Sequence, residues 1–284
     1  MQLPNFFIIG AARSATSSLW FYLREHPEIF MSPDKEAQFF GFFDVPDRKY
    51  KAKYSSLEDY ATLFDAVSNE IIIGEATPTY LALPESASSI QKHCPSAKLL
   101  ASLRNPIDRA FSYYEMSMSK GHDADQTFEE WMHGNSFWLK QGGYAAHIRR
   151  YYELFDREQL KFVLFDDIQS DAASVIADIH QYLGVTVLKP EKKPVAYNQG
   201  GKPRNPLGGL IYKATTNRNA NRLLRPLVPR WGIEAVHNLR SHAVAKSEVD
   251  GETRSKLNRY FRDDIDKTSE LIGRDLGKWL LTDG

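Results

Sequence analysis

Two arginines and a carboxylate stand in contexts that could do chemistry. Arg13 lies three residues beyond Gly10 in FFIIGAARSATSSLW, where an apolar run bends through small residues and continues with helical spacing. A helix that starts where a parallel strand ends offers unpaired main-chain N–H groups and the positive end of its dipole, a ready cradle for an oxyanion. Ser14, Ala15, Thr16, Ser17 and Ser18 line that turn, and Arg13 adds a full charge to it. Arg104 ends a second apolar run in KLLASLRNPIDRAFSYY, with Ser112 one helical turn past Arg109. A strand-end guanidinium and a helical hydroxyl can grip one terminal phosphate from two directions, because guanidinium makes forked, charge-assisted hydrogen bonds. Arg109 reads as a structural residue, with a surface position or a pairing to Asp108 or Glu115 as alternatives. Glu36, in SPDKEAQFFGFFD, stands between a lysine and a wall of aromatic residues. Burial against Phe39, Phe40 and Phe42 would make it a readier proton acceptor; the alternative is an ion pair with Lys35 or a neighbouring arginine.

The first turn almost spells a nucleotide-binding loop, G-x-x-x-x-G-K-[ST], in which a lysine reaches the outer phosphates and a hydroxyl holds magnesium. Here Ala15 takes the second glycine position and Thr16 the lysine position, so a triphosphate hydrolase would lack its central charge. The cation has moved inside the loop, to Arg13. If the backbone at Ala15 needs a positive φ, its Cβ costs on the order of 1 kcal/mol. An ordinary strand-to-helix turn capped by Ser and Thr is the plain alternative.

The elements that must position these residues alternate. Short apolar runs at Phe6 to Ile9, Glu70 to Ile73, Ala97 to Leu103 and Leu160 to Phe165 read as buried parallel strands. Between and after them, helical spacing runs through Ser17 to Arg24, Glu85 to His93, Pro106 to Ser119, Tyr144 to Phe155, Ala172 to Leu183 and Glu252 to Ile272. Alternation predicts an α/β fold, an open and mainly parallel sheet flanked by helices, with a helical C-terminal extension in a single domain over residues 1 to 284. The tract YNQGGKPRNPLGG reads as a loop, and its Lys202 and Arg204, beside flexible glycines, could close main-chain amides over a phosphate or simply stand in solvent.

Composition narrows the field. With 284 residues, 42% hydrophobic, and 36 Lys+Arg against 36 Asp+Glu, the chain has no basic excess for general nucleic-acid binding. One cysteine, Cys94, cannot form an internal disulfide, which fits a reducing, cytoplasmic setting. No run approaches the roughly 20 apolar residues of a membrane span, although a lumenal domain trimmed from its anchor would read the same way. No metal-ligand cluster is evident.

Taken together, the motifs resemble the sulfotransferases that use 3′-phosphoadenosine 5′-phosphosulfate (PAPS). IIGAARSATSSLWFYLREHP is similar to their phosphosulfate loop, G-x-x-K-[SG]-G-T-T-x-L followed by HP, with Arg13 in the lysine's place and Ala15 in the second glycine's. RNPIDRAFS resembles the family's R-[DN]-P-x-x-R-x-x-S site for the 3′-phosphate, and KEAQFF the K-E-x-[HQ]-F-F segment of the glycosaminoglycan type. GEATPTY resembles G-E-K-T-P-x-Y, with Ala76 where the family has a lysine. GGYAAHIRRYYELFDREQLKFVLFDDIQSD and the C-terminal GRDLGKWL extend the likeness over nearly the whole chain.

The resemblance implies a P-loop-like fold and sulfuryl transfer from PAPS to a hydroxyl or amine of a small-molecule or carbohydrate acceptor, without metal. It implies that Arg13 stabilises the departing phosphate and Glu36 takes the acceptor's proton. Residues 13 to 18, Arg104, Ser112, Lys202 and Arg204 would then hold the nucleotide. Glu75 becomes a second carboxylate near the site, orienting substrate, serving as an alternative base, or anchoring a helix cap. A non-catalytic relative that binds adenosine bisphosphate and a P-loop kinase are the rival readings.

Overall fold

FFIIG is buried at every position and forms the central strand β1, Phe6–Gly10. In the computed structural model the described residues are 1–41, 53–119, 126–134, 136–188, 202–203, 244–245 and 248–281. From β1 the chain enters helix α1, Thr16–Arg24, and then strand β2, Ile29–Met31. A short helix α2, Leu57–Ala61, leads to β3, Ile72–Ala76. Helix α3, Pro84–His93, returns to β4, Lys98–Leu103, which feeds α4, Pro106–Ser119. Helices α5, Phe128–Gly134, α6, Ser136–Lys140, and α7, Tyr144–Tyr152, precede β5, Leu160–Leu164. Helix α8, Phe165–Leu183, and helix α9, Gly251–Ile272, complete the main body.

The five strands run in the order β2-β3-β1-β4-β5, and every pairing among them is parallel. Alternate residues of β1 serve opposite faces, as strand geometry requires. Phe7 and Ile9 join Ile73, Leu99 and Leu103 on the side packed with α3, α4, α7 and α9. Phe6 and Ile8 join Leu100 and Val163 on the side covered by α1 and α8. On α1 the buried Leu19, Trp20 and Leu23 face this second side. Full burial of such side chains stabilises by roughly 1.5–3 kcal/mol each, which fixes the helix axis and the turn before it.

Several elements differ from the sequence reading: α2, α5 and α6 are absent from it, and β3 lies two to three residues beyond the Glu70 to Ile73 run. Strand β2 has only three residues, too few for a periodic signal. Helix α8 begins directly after β5, at Phe165, and Ala172 starts only its second segment. Asp171 interrupts it with φ −148° and caps that second segment, its carboxylate accepting from the Ser174 N–H at 3.0 Å. Lys202–Pro203 pairs antiparallel with Val244–Ala245, away from the main sheet.

Candidate functional site

The chain leaves β1 towards β2 on one flank and leaves β4 towards β5 on the other. Neighbouring strands whose connections diverge open a crevice at their carboxyl ends, where ligands of open α/β sheets bind. Both candidate anion turns lie there. Ala11 N–H donates to the Ser102 carbonyl at 2.8 Å, tying the first turn to β4. Gly10 allows a close approach, since a Cβ there would lie 2.6 Å from Leu81 Cβ.

The turn is shaped by left-handed backbone. Arg13 has φ 72° and Ala15 φ 62°, ψ 14°, the conformation a glycine adopts without strain. Ala15 is the N-cap of α1, contributes no side-chain cap, and the first helical turn holds no acidic residue. The positive end of the helix therefore faces the crevice without an internal carboxylate in its first turn. Ser14, Thr16 and Ser18 are buried and Ser17 is half-buried.

Arg13 and Ser112 meet. The guanidinium donates from Nε at 3.2 Å and from Nη2 at 3.0 Å to the Ser112 hydroxyl oxygen, with Nη1 3.5 Å from Met116 Sδ. Arg104 reaches the same turn from β4, donating from Nη1 to the Arg13 carbonyl at 3.2 Å. Its guanidinium lies 4.4 Å over the Phe165 ring at the start of α8, and burial pulls its pKa below the usual arginine range. Tyr144 donates its hydroxyl to the Arg104 carbonyl at 2.9 Å, and Asn105 caps the next helix by accepting from Ile107 N–H at 2.9 Å. The Asn105 amide in turn donates to the Trp279 carbonyl at 2.8 Å, and Trp279 Nε1 donates to Asp166 at 3.1 Å. The C-terminal segment thus braces the turn that carries Arg104.

Arg109 is fully buried and donates to the Trp138 carbonyl, which excludes the surface position. Asp108, one of its two candidate partners, pairs instead with Arg254 at 2.7 Å.

Glu36 departs from the sequence expectation. Its side chain is 46% exposed and its carboxylate pairs with Lys35 Nζ at 2.8 Å. The cause is local backbone: φ is 65° at Glu36 and 56° at Gln38, so the chain turns sharply and sends Phe39 and Phe40 into the core while Glu36 stays outside. Phe39 stacks on Tyr60 at 4.5 Å between ring centroids. Phe42 lies outside the described residues. Phe39 and Phe40 pack on Tyr60 and Tyr80, and those two tyrosines flank another carboxylate.

That carboxylate is Glu75, which has no exposed surface. Burial pushes its pKa up to about 7, against the opposing pull of hydroxyl donors from Thr77, Tyr80 and Tyr60. Of the roles open to it in the sequence, this fully buried position bears on those that act through neighbours, and Glu75 is tied to the segment that carries Glu36. The pattern did mark it as a strand-end carboxylate but could not say which side of the sheet it would face. Lys202 is described only through its backbone pairing, and Arg204 lies outside the described residues. Among the described residues no group of three or more His, Cys, Asp or Glu could hold a metal ion, and no helix is long and apolar enough to cross a membrane.

A family model described as "Sulfotransferase domain" matches residues 4–198. Among curated proteins, the membrane-associated sulfotransferase kil1 of Dictyostelium discoideum is 34% identical over 136 residues, covering 46% of this chain and 28% of that protein. Human heparan sulfate glucosamine 3-O-sulfotransferase 3B1 is 29% identical over 200 residues, 67% of this chain and 48% of that one. The chain therefore spans less than half the length of each of these two relatives. A solved sulfotransferase from Alicyclobacillus acidocaldarius superposes with a TM-score of 0.74 at 29% identity, covering 98% of this chain and 99% of the other. The sulfotransferase domain from the curacin biosynthetic pathway shares the fold at 14% identity and a TM-score of 0.55, over 97% of this chain and 100% of that domain.

Proposed function

Because the chain belongs to the sulfotransferase domain family, we propose that it moves a sulfuryl group from PAPS to a hydroxyl or amine of a small-molecule or carbohydrate acceptor. The observation that carries this reading is the convergence of Arg13, Arg104 and Ser112 at one crevice, from turns that follow two neighbouring strands. A nucleotide with phosphate on both the 5′ and 3′ positions needs two anion sites, and the neighbouring basic turns support that reading. The uncapped helix start and the two guanidiniums fit such a ligand.

Bound PAPS supplies the activated group: its sulfur bonds to the acceptor oxygen or nitrogen as the sulfur–oxygen bond to the 5′-phosphate breaks, leaving 3′,5′-adenosine bisphosphate. Arg13 and the amides of residues 14 to 18 take up the charge on the departing phosphate. Glu36 accepts the acceptor's proton. Arg104 and Ser112 hold the 3′-phosphate, with Lys202 and Arg204 closing over it. Because Ser112 Oγ accepts from Arg13, its own O–H is the donor it can present to an anion. Guanidiniums and amides carry the neutralising charge, so the scheme calls for no metal. The lone cysteine supports a cytoplasmic setting.

The test is a melting-temperature screen and calorimetric titration with 3′,5′-adenosine bisphosphate against ATP, on the natural chain and Arg104→Ala. Tight binding of the bisphosphate that Arg104→Ala weakens supports the reading, and a response to ATP alone overturns it. Transfer of labelled sulfate from PAPS to a panel of acceptors then separates turnover from mere nucleotide binding.

A further inference from the structure

The buried carboxylate of Glu75 ends a chain of hydrogen bonds that runs to the segment carrying Glu36. Thr77 donates its hydroxyl to Glu75 Oε1 and accepts from the Gln38 N–H at 3.2 Å. The Tyr80 hydroxyl, beside the Glu75 carboxylate, accepts from the N–H groups of Phe39, at 3.0 Å, and Phe40, at 3.1 Å. Tyr60 donates to Glu75 Oε2 at 3.2 Å and stacks beneath Phe39. Three consecutive main-chain amides are thus held by two hydroxyls beside one carboxylate, to which the Thr77 hydroxyl donates directly. A hydroxyl has a single proton, so its donation to Glu75 is what leaves its lone pairs facing the amides.

The segment needs such an anchor. Two non-glycine residues within three positions, Glu36 and Gln38, hold left-handed backbone, a conformation that costs such residues on the order of 1–2 kcal/mol each. Apart from this network, the Glu36 N–H is tied to the Ala76 carbonyl at 2.9 Å, again on the strand end that carries Glu75.

We propose that Glu75 is a positioning residue: through Thr77 and Tyr80 it fixes the amides of Gln38, Phe39 and Phe40, and so sets the direction in which Glu36 faces an acceptor. The role of Glu36 as proton acceptor rests on the sulfuryl-transfer reading; the anchoring does not. Glu75 itself touches neither nucleotide nor acceptor. A fully apolar replacement would leave the hydroxyls of Thr77, Tyr80 and Tyr60 without their shared acceptor, whereas glutamine preserves shape and removes the ability to accept from all three.

The experiment is amide hydrogen exchange on the full chain, comparing the natural protein with Glu75→Gln, Thr77→Val and Tyr60→Phe, alongside calorimetric titration with 3′,5′-adenosine bisphosphate. Glu75→Gln is expected to speed exchange at Gln38, Phe39 and Phe40 by about tenfold or more, leaving Ile8 and Leu100 protected and bisphosphate affinity within about twofold. Thr77→Val should release Gln38 alone. Tyr60→Phe should release none of the three. In turnover, followed as bisphosphate release from PAPS with a mixed panel of hydroxyl and amine acceptors, Glu75→Gln should lower kcat about tenfold with KM for PAPS unchanged, the signature of a misaimed group. Unchanged protection at residues 38 to 40 in Glu75→Gln overturns the proposal. If Glu75→Gln fails to fold, Thr77→Val decides, and protection of Gln38 in that variant overturns it equally. A natural chain that binds no bisphosphate would defeat the functional reading and leave the exchange result standing.

Discussion

Arg13 and Ser112, 99 residues apart in sequence, share a hydroxyl oxygen that two guanidinium N–H groups approach at 3.0 and 3.2 Å. The loop cation is thereby aimed at the helix beyond the second anion turn, and the two motifs form one unit.

Removing that hydroxyl should weaken both ends of the nucleotide site. Ser112→Ala is expected to raise the Kd for 3′,5′-adenosine bisphosphate by about 10- to 100-fold, from loss of a charge-assisted hydrogen bond of roughly 1.5–3 kcal/mol. Calorimetric titration checks it, and an unchanged Kd would remove Ser112 from the site.

At Ala15 the backbone asks for glycine. Ala15→Gly should relieve left-handed strain and raise the unfolding free energy by about 1 kcal/mol, after allowance for the extra freedom of glycine in the unfolded chain. Urea unfolding measures it; a lower midpoint would show that the Cβ has a packing role.

Trp279 braces the Arg104 turn from the far end of the chain. Trp279→Ala should destabilise the fold by about 3–5 kcal/mol as a buried aromatic is lost. At temperatures where the variant is still folded, the bisphosphate Kd should also rise. Measuring the Kd at low temperature separates the two effects.

His180 is buried against His26, with ring centroids 4.6 Å apart, and burial lowers its pKa from 6.5 to about 4. The unfolded chain then holds more protons between pH 6.5 and 4, so stability should fall as pH falls through that window. His180→Leu should flatten the fall, as read by urea midpoints at pH 5 and 7.

Glu75 acts in the opposite sense. Its folded pKa of about 7 exceeds the ordinary 4.5, so the folded chain holds the extra proton between those values, and stability should decline as pH rises through them. The natural chain minus Glu75→Gln should therefore show a larger stability difference at pH 5 than at pH 8. No change between the two would mean that Glu75 is ionised throughout.

Much of this was legible in the sequence because the relevant signals are local. FFIIG and KLLASL are apolar without interruption, as strands covered on both faces must be, and the glycine-poor turn at Ala15 announced its own strain. The failures involve direction. Nothing in SPDKEAQFF tells which aromatic rings turn inward, because that depends on positive φ at Glu36 and Gln38, held by Thr77 and Tyr80 from the turn after β3. The expected burial of Glu36 was therefore misplaced, and the buried carboxylate is Glu75. Arg109, by contrast, read as structural, and it is buried with its guanidinium donating to a carbonyl of α6.

The bond between Asn105 and Trp279 spans 174 residues. During synthesis, the turn bearing Arg104 leaves the ribosome long before the residue that steadies it. Full bracing of that turn must therefore await the emergence of Trp279, so nascent chains stalled short of it would carry the first anion turn but an unsteadied partner turn.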